Sequence, residues 1–140
     1  MTIRIGINKA VRYRQLSDAI NAERDRRIAA GFWFDGKRFD FDRDSVANIT
    51  GAGASAGIAV AMAGKTGVKT GDLRWADPRV DFSWLAADNS KIPMDARTCF
   101  AFARAAMQHK QAHIFAARAI KDMVSIPDNF TDDTYWPYSA

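Results

Sequence analysis

The stretch Gly31 to Asp42, GFWFDGKRFDFD, decides how the chain folds. Phe32 and Phe34 alternate into Asp35-Gly36, a strong two-residue hairpin signal, and Phe39 and Phe41 alternate back out of it. With a side-chain period of two, all four Phe fall on one face, and Trp33, Arg38 and Asp40 fall on the other. A lone two-stranded hairpin is marginal in water, so other elements must cover its Phe face. Helical patterns flank it on both sides. Upstream, Ser17 or Asp18 can cap a helix that runs through NAERDRRIAA and stops at Gly31. Downstream, Asp42 or Asp44 caps a second helix of about twenty residues ending near Gly64. Along it Val46, Ile49, Gly53, Ala56, Val60 and Ala63 recur at spacings of three and four, a narrow seam of small residues.

The same reading extends to both ends. Thr2 to Asn8 alternates Ile3, Ile5 and Ile7 onto one face and reads as a short strand. Arg4, Lys9, Arg12 and Arg14 come with no acid before Asp18, so residues 1–16 read as a basic arm. Residues 64–81 hold three Gly and one Pro and read as a loop. Phe82 to Met94 reads as a second hairpin turning at Asp88-Asn89-Ser90, with Pro93 keeping its second strand at an edge. Asp95 then caps a long third helix to about Val124, with Cys99, Phe102, Ala106, His109, His113, Ala116, Ile120 and Met123 as one stripe. A second stripe (Phe100, Ala103, Met107, Ile114, Ala117, Val124) lies beside it. Residues 127–140 carry three Asp, four aromatics and two Pro and read as a tail. The expected class is α+β: two short β-hairpins, a small antiparallel sheet, packed on three helices, the last one long. The expected division is a basic arm at 1–16, a helix-hairpin-helix-hairpin-helix domain at 17–126 and an aromatic tail at 127–140.

At 140 residues the chain suits one domain with a real core. The 25 Ala against 3 Leu leave the 9 Phe and 4 Trp to fill most of that core. The single cysteine, Cys99, excludes an intramolecular disulfide and a multi-cysteine zinc cage. The net charge of +4 is mixed along the chain and announces no nucleic-acid groove. No continuous apolar run marks a signal peptide at the N-terminus.

Several short motifs imitate chemistry. Gly51 to Gly57 contains G-x-S-x-G around Ser55, but a hydrolase elbow needs a strand before it and a large sheet to hold acid and base. Gly53 and Gly57 fit a small-residue helix seam better. Ala59 to Thr66 (AVAMAGKT) is a relaxed phosphate loop set at a helix end, where Lys65 is explained by the helix dipole. His109 and His113 share a helix face as in a zinc helix, but Lys110 replaces the general-base Glu and no third ligand is near. Asp40, Asp42 and Asp44 start like a calcium loop that then lacks its Gly and its Glu. Ser45 to Gly64 is uncharged and long enough to span a bilayer, but its Ala, Gly, Ser and Thr gain little from lipid. The expectation is therefore no catalytic, cofactor-binding or metal residue, no membrane insertion and no nucleic acid.

The larger arrangement is more specific: a helix ending in GFWF-DG-x-x-F-D-F-D, then SVANI opening a small-residue helix, then WLAADNSKIPMD opening a long helix with A-x-x-x-H and AARAIKD. This resembles an uncharacterised domain family of tailed bacteriophages and prophages, often found in tail-fibre or neighbouring tail proteins. The matching residues are Gly31, Phe32, Phe34, Gly36, Phe39, Asp42, Asn48, Ile49, Trp84, Asp88, Asn89, Met94, His109, Ala117 and Lys121, within Ala19 to Val124. The resemblance implies a non-enzymatic structural component of the virion in the tail, baseplate or tail-fibre region, made in the bacterial host cytoplasm. Alternatives are a tail-fibre assembly chaperone and, from another class, a small hydrolase or metal-dependent enzyme. The implied partners are other phage tail proteins. Candidate partner contacts are Ile3, Ile5 and Ile7 of the arm and Phe130, Tyr135, Trp136 and Tyr138 of the tail. The long helix's first stripe, with Phe102, His109, His113 and Ile120, is the candidate face of a homo-oligomer, a trimer as best guess.

Overall fold

The computed structural model of the chain describes residues 2–138, and the side chains of residues 2–7 and 66 lie outside the description. In order, the elements are α1 (Thr2–Ala29), β1 (Phe32–Phe34), β2 (Lys37–Phe39), α2 (Arg43–Ala61), a one-turn α3 (Ala63–Thr66), β3 (Ser83–Leu85), β4 (Lys91–Pro93) and α4 (Ala96–Lys121). The class is α+β, with two separate antiparallel two-stranded sheets and a long last helix. A 3-10 turn (Asp133–Tyr135) follows α4.

The first hairpin forms as its sequence demands. Asp35 and Gly36 both take positive φ (50° and 78°), the twist that a two-residue turn needs between right-twisted strands. Phe32 faces Phe39, Trp33 faces Arg38 and Phe34 faces Lys37. Phe32, Phe39 and Phe41 are buried, while Trp33 and Arg38 face outward. Gly31 ends the turn after α1 at φ 103°, and a Cβ there would strike the carbonyl oxygen of Phe39. In the second hairpin Trp84 faces Ile92, and Asn89 takes the left-handed conformation at φ 67°. The Ala87 N–H donates to the Arg38 carbonyl (2.8 Å), tying the second turn to the open edge of β2.

The expected N-terminal strand is corrected to helix: Thr2 to Asn8 is the start of α1. Seven alternating residues fit a strand pattern, but a strand must find a neighbour for its backbone groups, whereas a helix satisfies its own. No proline or glycine cap separates Asn8 from Ser17, so the helix propagates through the segment. Asp42 does cap α2, its carboxylate accepting from the Ser45 N–H at 2.8 Å. The helix stops at Ala61, three residues short of Gly64, and α3 closes on Gly67 in the left-handed conformation.

The chain gathers into two compact units, Ala29–His109 and Met1–Ile28 with Lys110–Ala140, and α4 supplies residues to both. In the first unit Phe102 of α4 is the hub. Its ring lies 4.7 Å from Phe39, 5.3 Å from Phe32, and 5.4 Å from both Phe34 and Trp84, centroid to centroid. The Phe face of the first hairpin is thus covered by α4. The small-residue seam of α2 also serves α4, since a Cβ on Gly53 would overlap that of Ala103. Trp75, in the long loop, donates its indole N–H to the Met94 carbonyl (3.0 Å) and packs on Phe82.

The second unit is a helix pair closed by the tail. Ile20, Ala117, Ile120 and Trp136 are its buried core, with Ala116, Ile126, Phe130 and Tyr135 packed around them. Trp136 donates its indole N–H to the Phe130 carbonyl (2.7 Å), lies stacked near His113, and receives Arg27 over its ring at 5.3 Å. Arg27 also donates to Glu23 (2.8 Å), Asp133 (2.8 Å) and the Thr131 carbonyl (2.7 Å). One guanidinium thereby fastens the tail to α1.

Candidate functional site

The residues singled out for an oligomer face lie inside the chain's own packing. Phe102 is sheathed by the Phe rings and Trp84, and His109 packs against Phe32 and Phe41. His113 is buried beside Trp136, and Ile120 belongs to the Ile20 core. That stripe is core because the hairpins and the tail already cover it. The other edge of α4 is the open one, with Phe100, Met107, Ile114 and Phe115 exposed. Of the tail aromatics, Trp136 is buried and Phe130 and Tyr135 are half-buried within this chain, so only Tyr138 stands in solvent. The side chains of Ile3, Ile5 and Ile7 lie outside the described residues, though their backbone is helical.

The chemistry-like motifs separate in space. Ser55 is exposed in the middle of α2, with helix before and after it. Lys65 sits in the single turn of α3. Among the described residues no three His, Cys, Asp or Glu side chains converge as metal ligands, and no helix is long and apolar enough to cross a membrane. Burial pushes the Cys99 thiol up to about 11, which removes its thiolate at neutral pH.

Among the described residues each unit carries a concave surface. In the hairpin unit a cleft of about 390 Å³ runs between the outward face of the first hairpin and the turn of the second. Half-exposed Trp33 forms one wall, and Asp88 bound to Lys37 (3.0 Å) forms the other. The Asp88 carboxyl is held well below its usual range, first by the Ser90 hydroxyl, then by the Ser90 N–H and Lys37. Those bonds already occupy the carboxylate and fix the turn. Arg38 spends one arm on the Ala30 carbonyl (2.9 Å). These polar groups brace the two hairpins against each other.

In the helix-pair unit a groove of about 420 Å³ is walled by Tyr13 and Leu16 of α1 and by Met123, Val124 and Ile126 after α4. Lys9 and Arg12 stand on its rim. No short motif in the sequence marked this groove. The signal available was the run of cations without an acid before Asp18, set on a helix rather than an arm.

A family model described as a domain of unknown function, DUF4376, matches residues 11–135. The chain belongs to that family. The DUF4376 match begins inside α1 and runs through the aromatic tail to Tyr135, further in both directions than the resemblance over Ala19 to Val124. The match thus takes in the tail as far as Tyr135, one residue before the buried Trp136. No curated protein and no solved structure matches the chain.

Proposed function

We propose that the protein is a non-enzymatic structural component of a tailed-bacteriophage virion, acting as an adaptor in the tail, baseplate or tail-fibre region. The observation that carries this reading is what the pattern residues do. Asp42 caps α2, Gly36 and Asn89 make turns, and Phe32, Phe39, Ile49, Met94 and Ala117 are buried. Lys121 donates to Asn21 (2.6 Å) across the helix pair, and burial lowers its pKa. A recognisable pattern spent on caps, turns and core describes a scaffold, where an enzyme's pattern would include convergent polar groups at one cleft. The phage context rests on the resemblance of that pattern to tail-region proteins, and so does the expectation of tail-protein partners and of a homo-oligomer.

Quantitative mass spectrometry of purified particles tests the reading. A fixed copy number per virion is expected. Presence in infected cells but absence from finished particles would favour an assembly chaperone and overturn the structural role. Light scattering of the purified chain tests the oligomer, with a trimer mass expected at neutral pH and a monomer mass at high concentration excluding it.

A further inference from the structure

We propose that the groove along the N-terminal half of α1 docks an acidic amphipathic helix of another protein. The argument begins with the helix itself. α1 is 28 residues long, and Asn8 to Gln15 are all exposed, with Val11 and Tyr13 each nearly half accessible. Helices owe most of their stability to packing of one face, and the stretch Asn8 to Gln15 is left bare by its own unit. Among the described residues of α1, the core around Ile120 and Trp136 takes in Ile20, beyond this stretch.

The bare stretch borders a shaped apolar floor. Tyr13 and Leu16, three residues apart, share a face that Met123, Val124 and Ile126 extend. Val124 is fully exposed and Met123 is 40% exposed, so the floor opens to solvent. A groove of this size accepts one or two large apolar side chains.

Charge then selects the partner. Residues 2–17 carry Arg4, Lys9, Arg12 and Arg14 and no acid. Lys9 and Arg12 stand on the groove's rim. The acids nearby are weakly placed or already engaged. Asp128 reaches Arg12 only at 3.8 Å from an almost fully exposed position, and Asp122 is held by Arg118, which also donates to the Tyr13 hydroxyl. A second copy of this helix would set cation against cation, so the complement is a helix of Glu and Asp with an apolar stripe. An anionic membrane is the other surface that attracts cations. An interfacial helix, however, segregates its charges from its apolar face, whereas Lys9 and Arg12 share one face with Tyr13 and Leu16. The inference names a partner type for the adaptor reading and rests on it only for that partner being a tail protein.

The test titrates the full chain with a fluorescent helical peptide of about twenty residues, built with a Leu/Phe stripe and a Glu polar face. Saturable binding is expected, weakened about tenfold by Val124→Asp and about fivefold by Lys9→Glu. Arg14→Glu makes the same charge change away from the groove and should shift affinity less than about twofold. Circular dichroism and melting temperature confirm that each variant folds. A matching peptide with Lys in place of Glu should not bind. The inference is overturned by equal binding of the Lys peptide, by equal loss in the Arg14 and Lys9 variants, or by tighter binding to phosphatidylserine vesicles than to the peptide. Dissociation of a homo-oligomer by Val124→Asp would also overturn it, by giving the groove to a second copy. Failure here leaves the virion assignment to the particle mass spectrometry, which does not depend on this groove.

Discussion

Asp95 joins two parts of the hairpin unit through one carboxylate, and removing it should show both joins. One oxygen accepts from the Thr98 N–H (2.7 Å), the N-cap bond of α4, and the other accepts from the Gly71 N–H (2.8 Å) in the long loop. The side chain is nearly buried, at 9% exposure. Its pKa is held below the usual carboxylate value, first by the Thr98 hydroxyl, then by the Gly71 and Thr98 N–H groups. Asp95→Ala loses a cap worth about 1 kcal/mol and a charge-assisted bond worth about 1.5 kcal/mol. Asp95→Asn keeps an oxygen for the cap but turns an amide donor toward Gly71, so it loses about the second amount alone. For a chain of this size the melting temperature should fall by about 8 °C for Ala and about 5 °C for Asn. Because the folded pKa is depressed, the ionised carboxylate's contribution is complete above the unfolded value near 4 and is lost as pH falls through the folded value. The gap between wild type and Asp95→Ala should therefore narrow between pH 7 and pH 2. Thermal melts at both pH values read this, and amide exchange at Gly71 should speed up in both variants. Equal losses for Ala and Asn, or a gap that does not change with pH, would refute the double role.

Phe102→Ala removes the hub on which the rings of Phe32, Phe34, Phe39 and Trp84 meet and should cost about 3–5 kcal/mol, measured by urea unfolding, while Phe102→Leu should cost clearly less. Gly53→Leu must push α2 away from Ala103 and should destabilise by about 2–3 kcal/mol; an unchanged urea midpoint would show that the helices do not meet there. Trp136→Ala should unfasten the tail, seen as faster amide exchange over residues 127–135 and at Arg27 with little change around Phe102. Cys99, buried and with its thiol pushed up to about 11, should resist a thiol reagent at pH 8 until denaturant is added, and rapid native labelling would contradict its place on the buried face of α4.

How far the sequence disclosed this structure depended on the range of each signal. The two hairpins were readable because the turn residues carry the information locally: Asp35-Gly36 and Asn89 supply the positive φ that fixes register. Caps at Asp42 and Asp95 were readable for the same reason. The N-terminal segment was misread because alternation of Ile3, Ile5 and Ile7 is local, while the decision between strand and helix rests on whether a partner strand exists. The anchoring of the tail within the chain was not legible because Trp136 finds Ile20 and Arg27 across more than a hundred residues of sequence, which no local pattern encodes.

The two stripes of α4 show the same limit at the level of the candidate site. Periodicity located both stripes and implied that more apolar surface existed than one face could hide. It did not say which stripe the chain itself would cover. The choice was made by volume: Phe102 can fill a ring of Phe32, Phe34, Phe39 and Trp84, and Ile120 can fill the space beside Ile20, whereas Phe100, lying along Gly57 of α2, and Ile114 stay partly exposed. Partner surfaces are what intrachain packing leaves over, so they become visible only after that packing is known. Among the described residues that remainder includes the open edge of α4 and the basic stretch of α1 beside the apolar groove. The second of these combines a groove with one sign of charge, which is why the partner proposed above is assigned to it and not to the first.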